Sequence, residues 1–453
     1  MSHRIHVVGA TLAGLATSVR LAKVGHQVSL NPAGPLGGRA APHRLPGHDQ
    51  IWVDDLEPVL TLPAAWRDLL KKSGRAFGPE LTRHHLDLVP APPAVHHFAD
   101  GTELTLPDDR AGQLQAMRAT LGAGAAQRWT DLLDQVDRLW QVLRMNGVER
   151  PFPTDGLDAE RHHQLWWSRS LGQLAKDLDD PRLAALLLSA GWRAGATDPQ
   201  RAPAWLATRW TLPRTFGRWH LATAGQPSTR TPDGQSPTPG AALGMGALVE
   251  VLTDRLVERG VELEPDDPQA EVVIDARAPE PPADQRSWWQ KLLSRPGLGA
   301  VRPPTISHDL HQLSEQGRTA EGLAAPPAGA IAESVFHTDG APVVAWARRV
   351  GEQLLVTSHD HTHPADPDAA LGWDLSAGAS WLARPQLQPT GPGQPWRASA
   401  ASHAGNEPWA EVLSAALVTY LVHEQLTGED IRPTNKANSP AAGRRRRQAI
   451  RGS

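Results

Sequence analysis

The first regular pattern in the chain is a short run of apolar and β-branched residues at 5–8 that ends in Gly9. Beyond it Leu15, Val19 and Leu21 recur at helical spacing across 13–24, Gly25 and His26 close that helix, and 27–30 reads as a second strand. Strand, turn, helix and strand in such a short stretch predict parallel strands joined by a helix, the start of an open α/β sheet.

Residues 66–147 are mostly helical in pattern, broken at 91–106 by what reads as a strand and tight turn, and a second helical stretch covers 160–223. A Pro-, Ser- and Thr-rich loop follows at 226–239, then an amphipathic helix at 248–259 stopped by Gly260, and strands at 261–263 and 271–276. After a Pro-rich break at 278–285, strand-like runs flank Asp339-Gly340 and Val350-Gly351, and 409–424 is helical. The pattern divides the chain into an α/β nucleotide-binding-like domain in three parts, 1–65, 239–285 and 396–430. It is interrupted by a mainly helical insertion at 66–238 and by strands at 286–395. The tail, 431–453, carries four arginines at 444–447 and too little apolar content to order itself, so it is expected to be a disordered basic segment.

Charge and composition narrow the function. Lys and Arg number 45 against 49 Asp and Glu, a formal net charge of −4, which excludes a uniformly basic nucleic-acid binder, and no nucleic-acid partner is expected. With no cysteine, disulfides, thiolate metal sites and cysteine nucleophiles are excluded. No run approaches the roughly 20 apolar residues of a spanning helix. Arg4 and the apolar run behind it resemble a short signal peptide, but Arg20 and Lys23 continue the helix and a strand follows at nucleotide-fold spacing, so the expected location is cytoplasmic.

Candidate chemistry gathers at the first turn, Gly9-Ala10-Thr11-Leu12-Ala13-Gly14. In a dinucleotide fold the first Gly makes the turn, the second lets pyrophosphate approach the backbone, and the third permits close helix packing. Thr11 stands at the second position, although the helix amides still favour an anion. The second strand ends in Asn31 where an acid would accept bonds from a ribose.

These residues, with Leu36-Gly37-Gly38-Arg39-Ala40 and Asp55-Leu56-Glu57-Pro58-Val59-Leu60-Thr61-Leu62-Pro63, resemble the N-terminal part of phytoene-desaturase-type flavoproteins in the wider amine-oxidase-like superfamily. The likeness continues through His97-Phe98-Ala99-Asp100-Gly101-Thr102, Leu106-Pro107-Asp108-Asp109 and Leu243-Gly244-Met245-Gly246-Ala247-Leu248, covers most of 4–280, and returns faintly at 399–417. It implies a Rossmann-like FAD-binding domain with a discontinuous α+β substrate domain, and hydride removal from a long hydrophobic substrate. The implied cofactor positions are Gly9, Thr11, Leu12, Ala13, Gly14, Asn31, Gly37, Gly38, Arg39, Glu57 and Gly405; no side chain is singled out as catalytic.

The sequence departs from the family at Thr11, at Asn31, at Glu57 in place of a Gly, and in the turn His403-Ala404-Gly405-Asn406-Glu407-Pro408. Either flavin binding has been remodelled, leaving an FAD-dependent oxidoreductase, or it has been lost, leaving a flavin-free relative that acts as a binding or scaffold protein. Glu57 is expected to point into the cleft, with Arg39 as its ion-pair partner. His359, His361 and His363 would share one face of a strand and could hold a divalent ion, or could lie in a polar loop after 354–357. The tryptophans at 205, 210 and 219 read as core, as a lipid-facing surface or as walls of an apolar channel, and the arginine run as a solvated tail or a peripheral membrane contact.

Overall fold

The structure, a computed structural model, describes residues 2–224, 240–278, 304–313, 325–338, 340–364, 375 and 377–433. Its central sheet has five parallel strands in the order Glu262–Leu263, Gln27–Asn31, Arg4–Val8, Val272–Asp275, Trp396–Arg397. The three runs read as strands near 4–8, 27–31 and 271–276 therefore lie side by side, Ile5 opposite both Val28 and Val272. Ile5, Val7, Leu30 and Ile274 are fully buried, as expected of parallel strands covered on both faces.

The helix Leu12–Lys23 starts where Thr11 caps it and ends with Arg20 and Lys23 in its last turn. It packs against Pro408–Thr427 and Gly246–Glu258, so the chain's start and end meet under the sheet. Arg20 is buried there, its guanidinium held by Asp68 at 2.5 Å and by the Tyr420 hydroxyl at 3.5 Å.

A second sheet of six strands stands against the first domain, in the order Pro304–Gln312, Gln353–Pro364, Pro342–Val350, Ile331–His337, Ala94–Phe98, Glu103–Leu106. Between its early and late strands in sequence the chain runs through helices that include Ala123–Leu143 and Pro181–Arg193. The strand Trp219–Thr223, read as the end of a helical stretch, pairs instead with Leu86–Pro90. Pro213 and Gly217 stop the preceding helix, and the following residues then find an open strand edge. The polar residues after 357 belong to a strand that runs on to Pro364, because Pro304–Gln312 supplies its hydrogen-bonding partner.

The loop at 226–239, most of the break at 278–285, Asp339, Asp366 and the basic tail from 434 lie outside the described residues. Among the described residues no helix is long and apolar enough to cross a membrane.

Several histidines are buried in this frame. His96 and His337 meet at 2.9 Å between the early and late strands of the second sheet, and His26 meets His423 at 2.9 Å between the first domain's ends. Burial lowers His26 and His337 to about 4, and the partner imidazole adds to the shift in His26. Burial also lowers His359 to about 4 and His361 and His403 to about 3. The unfolded chain, with histidine near ~6.5, then binds more protons than the folded one between those values, so stability falls as pH drops through that window. The melting temperature is expected to be lower at pH 5.0 than at pH 7.5; thermal melts giving equal values would contradict this account.

Candidate functional site

The first turn is built for closeness. Gly9 has φ +102°, and a Cβ there would lie 2.5 Å from the Arg277 backbone nitrogen, so the turn requires glycine on both counts. Gly14 faces the Gly9 carbonyl with no room for a side chain, and Leu12 and Ala13 are buried beneath. The Thr11 hydroxyl donates to the Ala276 carbonyl at 2.7 Å and accepts from the Gly14 amide at 3.4 Å. Gly37 donates to the Ala10 carbonyl at 2.6 Å and Gly38 lies against the Thr11 side chain, so the Gly37-Gly38 turn closes over the helix start.

A second anion already stands there. Glu411, in the first turn of Pro408–Thr427, accepts from Arg39 Nη2 at 3.0 Å with the Ala13 amide favouring its charged form, while the same Arg39 nitrogen donates to the Asn406 carbonyl at 3.1 Å. Burial pushes the Glu411 carboxyl above its ordinary range, opposed by Arg39 and by that amide. Thr11, Leu12, Gly37, Gly38, Arg39 and Glu411 thus line one cavity enclosing about 390 Å³. Asn31 is spent elsewhere: its Nδ2 donates to Pro265 O at 2.6 Å and its Oδ1 accepts from the Ala33 amide at 3.0 Å.

Beyond Arg39 the cavity adjoins a cleft of about 860 Å³ with an apolar side, including Leu60, Trp66, Trp192, Met245 and Trp409, and a charged side. Glu57 lies on the charged side. Arg193 donates to it twice, Nε at 3.1 Å and Nη2 at 2.7 Å, and Arg209 approaches to 3.7 Å. Arg193 also donates to Glu333 at 3.1 Å, Glu333 accepts from Arg218, and Arg209 donates to Glu407. Burial alone would raise Glu57, but Arg193 and Arg209 hold it well below the usual carboxylate range. Glu57 therefore points into the cleft, and the expected pair with Arg39 does not form. Arg39 is drawn to Glu411, and Arg193 arrives from the end of Pro181–Arg193.

Gly405, at φ +121°, shapes the turn that delivers Asn406 and Glu407 to the cleft without lining it. His359 and His361 line the cleft in neutral form, whereas His363 is exposed and bonded to Asp360 at 2.9 Å. Among the described residues these three do not form a set of metal-ligand atoms; the set that does is His43, Asp55 and His308. Trp205 is core, stacked on Trp167 at 5.3 Å, and Trp210 lines a neighbouring cavity with His96 and Arg218. Sequence reasoning missed Glu411, Arg193, Arg209 and Glu333, and placed Glu407 only within the departing turn 403–408. Glu411 had a signal, being a lone charge in the apolar run 409–422, where a carboxylate must have a buried partner.

FAD would bring two negative phosphates to the helix start. There the Gly14 amide donates to Thr11, Arg39 is already paired with Glu411, and the Glu411 carboxyl shares the cavity. At the ring end Arg193, Arg209 and Arg218 are each paired with carboxylates, Glu57, Glu333, Glu407 and Asp108 among them. In this arrangement the helix start and Arg39 are already engaged by the chain's own groups.

The chain matches no protein-family model. Its sequence is similar to carotenoid desaturases: 31% identical over 215 residues to a hydroxyneurosporene desaturase of Rhodobacter capsulatus, covering 44% of this chain and 42% of that protein. It is 29% identical over 154 residues to a 4,4'-diapophytoene desaturase of Staphylococcus haemolyticus, 33% of this chain and 28% of the relative. The chain thus spans less than half the length of the curated relatives it matches. Among solved structures it resembles putrescine oxidase, with a TM-score of 0.55 and 13% identity over 95% of this chain and 100% of the other. An oxidoreductase from Methanosarcina mazei gives 0.54 and 12%, over 92% and 99%. The structural likenesses show the fold. With the desaturase similarity, they bear out the resemblance to phytoene-desaturase-type oxidoreductases.

The ion-pair chain sets an expectation for stability. Arg193→Ala leaves Glu57 and Glu333 partly uncompensated in a buried site and is expected to cost about 3–5 kcal/mol. Urea unfolding measures it; a loss below about 1 kcal/mol would put these pairs in the class screened by solvent.

Proposed function

We propose that this chain binds an elongated, apolar, polyene-type molecule in the cleft beside Glu57 and does so without FAD. The observation that carries the reading is the Glu411 carboxyl, paired with Arg39 at 3.0 Å and lining the cavity at the helix start where a phosphate would have to sit. The ligand class rests on the desaturase similarity and on the tryptophan and leucine side of the cleft. The charged side would meet a polar end of such a molecule.

In this reading Glu57 and Arg193 hold each other and the second sheet, His359 and His361 supply neutral polar contacts, and Trp66 and Trp409 exclude water. The expected location stays cytoplasmic. A second reading, flavin-dependent dehydrogenation of the same class of molecule, is favoured by the named activities of the sequence relatives. It requires Glu411 to leave the helix start.

The visible spectrum of the purified protein separates the two. It is expected to show no flavin bands, and denaturation should release no flavin; about one flavin per chain would establish the second reading instead. Added polyene should quench tryptophan fluorescence saturably, and a failure to do so would remove the ligand assignment. Thr11→Gly with Glu411→Val frees both amides and Arg39, and is expected to raise FAD affinity at least tenfold over wild type by titration calorimetry, provided the variant keeps its circular dichroism spectrum.

A further inference from the structure

His43, Asp55 and His308 come from three separate elements, the hairpin strand His43–Leu45, the segment before Glu57, and the strand Pro304–Gln312. Their ligand atoms all lie within 4.8 Å of one another. His308 Nε2 is 3.1 Å and His43 Nε2 is 4.0 Å from the same oxygen, Asp55 Oδ1. Two donors bound to one zinc ion at tetrahedral angles sit about 3.4 Å apart, so the observed spacings straddle what an ion would impose.

Two of the three groups are also anchored. The other nitrogen of His308, Nδ1, lies 3.0 Å from the Thr357 hydroxyl, which fixes the ring and leaves Nε2 facing Asp55. The Asp55 amide donates to the Arg39 carbonyl at 3.3 Å, anchoring this segment to the glycine turn. The His308 side chain is buried, whereas those of His43 and Asp55 are each 44% exposed, so an ion can enter from solvent and the exposed His43 can swing in to close its 4.0 Å gap to Asp55. Asp55 also lines the cleft that contains His359 and His361.

We propose that His43, Asp55 and His308 bind a divalent transition-metal ion at the rim of the cleft. Two imidazoles and one carboxylate select zinc, iron(II) or manganese over calcium and magnesium, and three protein ligands leave positions open for water or for a polar group of the cleft's contents. The site does not use Glu57, Arg193 or Glu411, so it stands whether or not the cleft takes a polyene.

The full-length chain, stripped with chelator and dialysed, is titrated with zinc chloride by calorimetry and then loaded with cobalt(II) for its visible spectrum. The expected result is one saturable ion per chain and cobalt d–d bands. His43→Ala and His308→Ala should each weaken binding more than tenfold, and Thr357→Val, which removes only the ring's support, by about tenfold. His363→Ala should change nothing. Circular dichroism of each variant keeps loss of fold distinct from loss of a ligand. Absence of saturable binding to the wild type would overturn the proposal. So would binding unchanged in both His43→Ala and His308→Ala, and so would loss of binding only in a variant lacking His359, His361 and His363.

Discussion

The chain of ion pairs from Glu407 through Arg209, Glu57, Arg193 and Glu333 to Arg218 is the constraint on which the rest of the cleft depends. It ties the start of the last helix, the first domain's Glu57 segment, the ends of two insertion helices and the second sheet into one charged seam. Charges withdrawn from water in this way stabilise only when each has a well-placed partner; removing one strands the next. The seam therefore fixes how the two sheets face each other, and it fills with protein charge the wall that faces the cleft.

A similar closure operates at the helix start. A helix presents unpaired amides and the positive end of its dipole at its N-terminus, which draws an anion. Here the last helix delivers Glu411 to that point, Thr11 takes a further amide, and Arg39 neutralises the carboxylate. The geometry inherited from a nucleotide-binding turn is kept, with Gly9 and Gly14 still demanded by packing against Arg277 and the Gly9 carbonyl. Near the cleft, Asp55 is paired with His308, and His43 approaches the same carboxylate oxygen.

The sequence by itself determined the first domain, because its signals are local. The apolar, β-branched run at 5–8, the glycine that ends it and the helical spacing that follows reach no further than neighbouring residues. The family resemblance was legible for the same reason, from short runs in order. The partners of the candidate site were not. Arg193 and Glu57 are 136 residues apart, Arg39 and Glu411 372. Nothing in a linear pattern chooses between Arg39 and Arg193 as the partner of Glu57, since both are arginines in plausible reach. The strand Trp219–Thr223 and the extension of Gln353–Pro364 likewise depend on an edge supplied from elsewhere in the chain. Tertiary structure decided these because a buried charge takes whichever counter-charge packing brings within hydrogen-bonding distance, and a strand edge pairs with whichever strand the fold lays beside it.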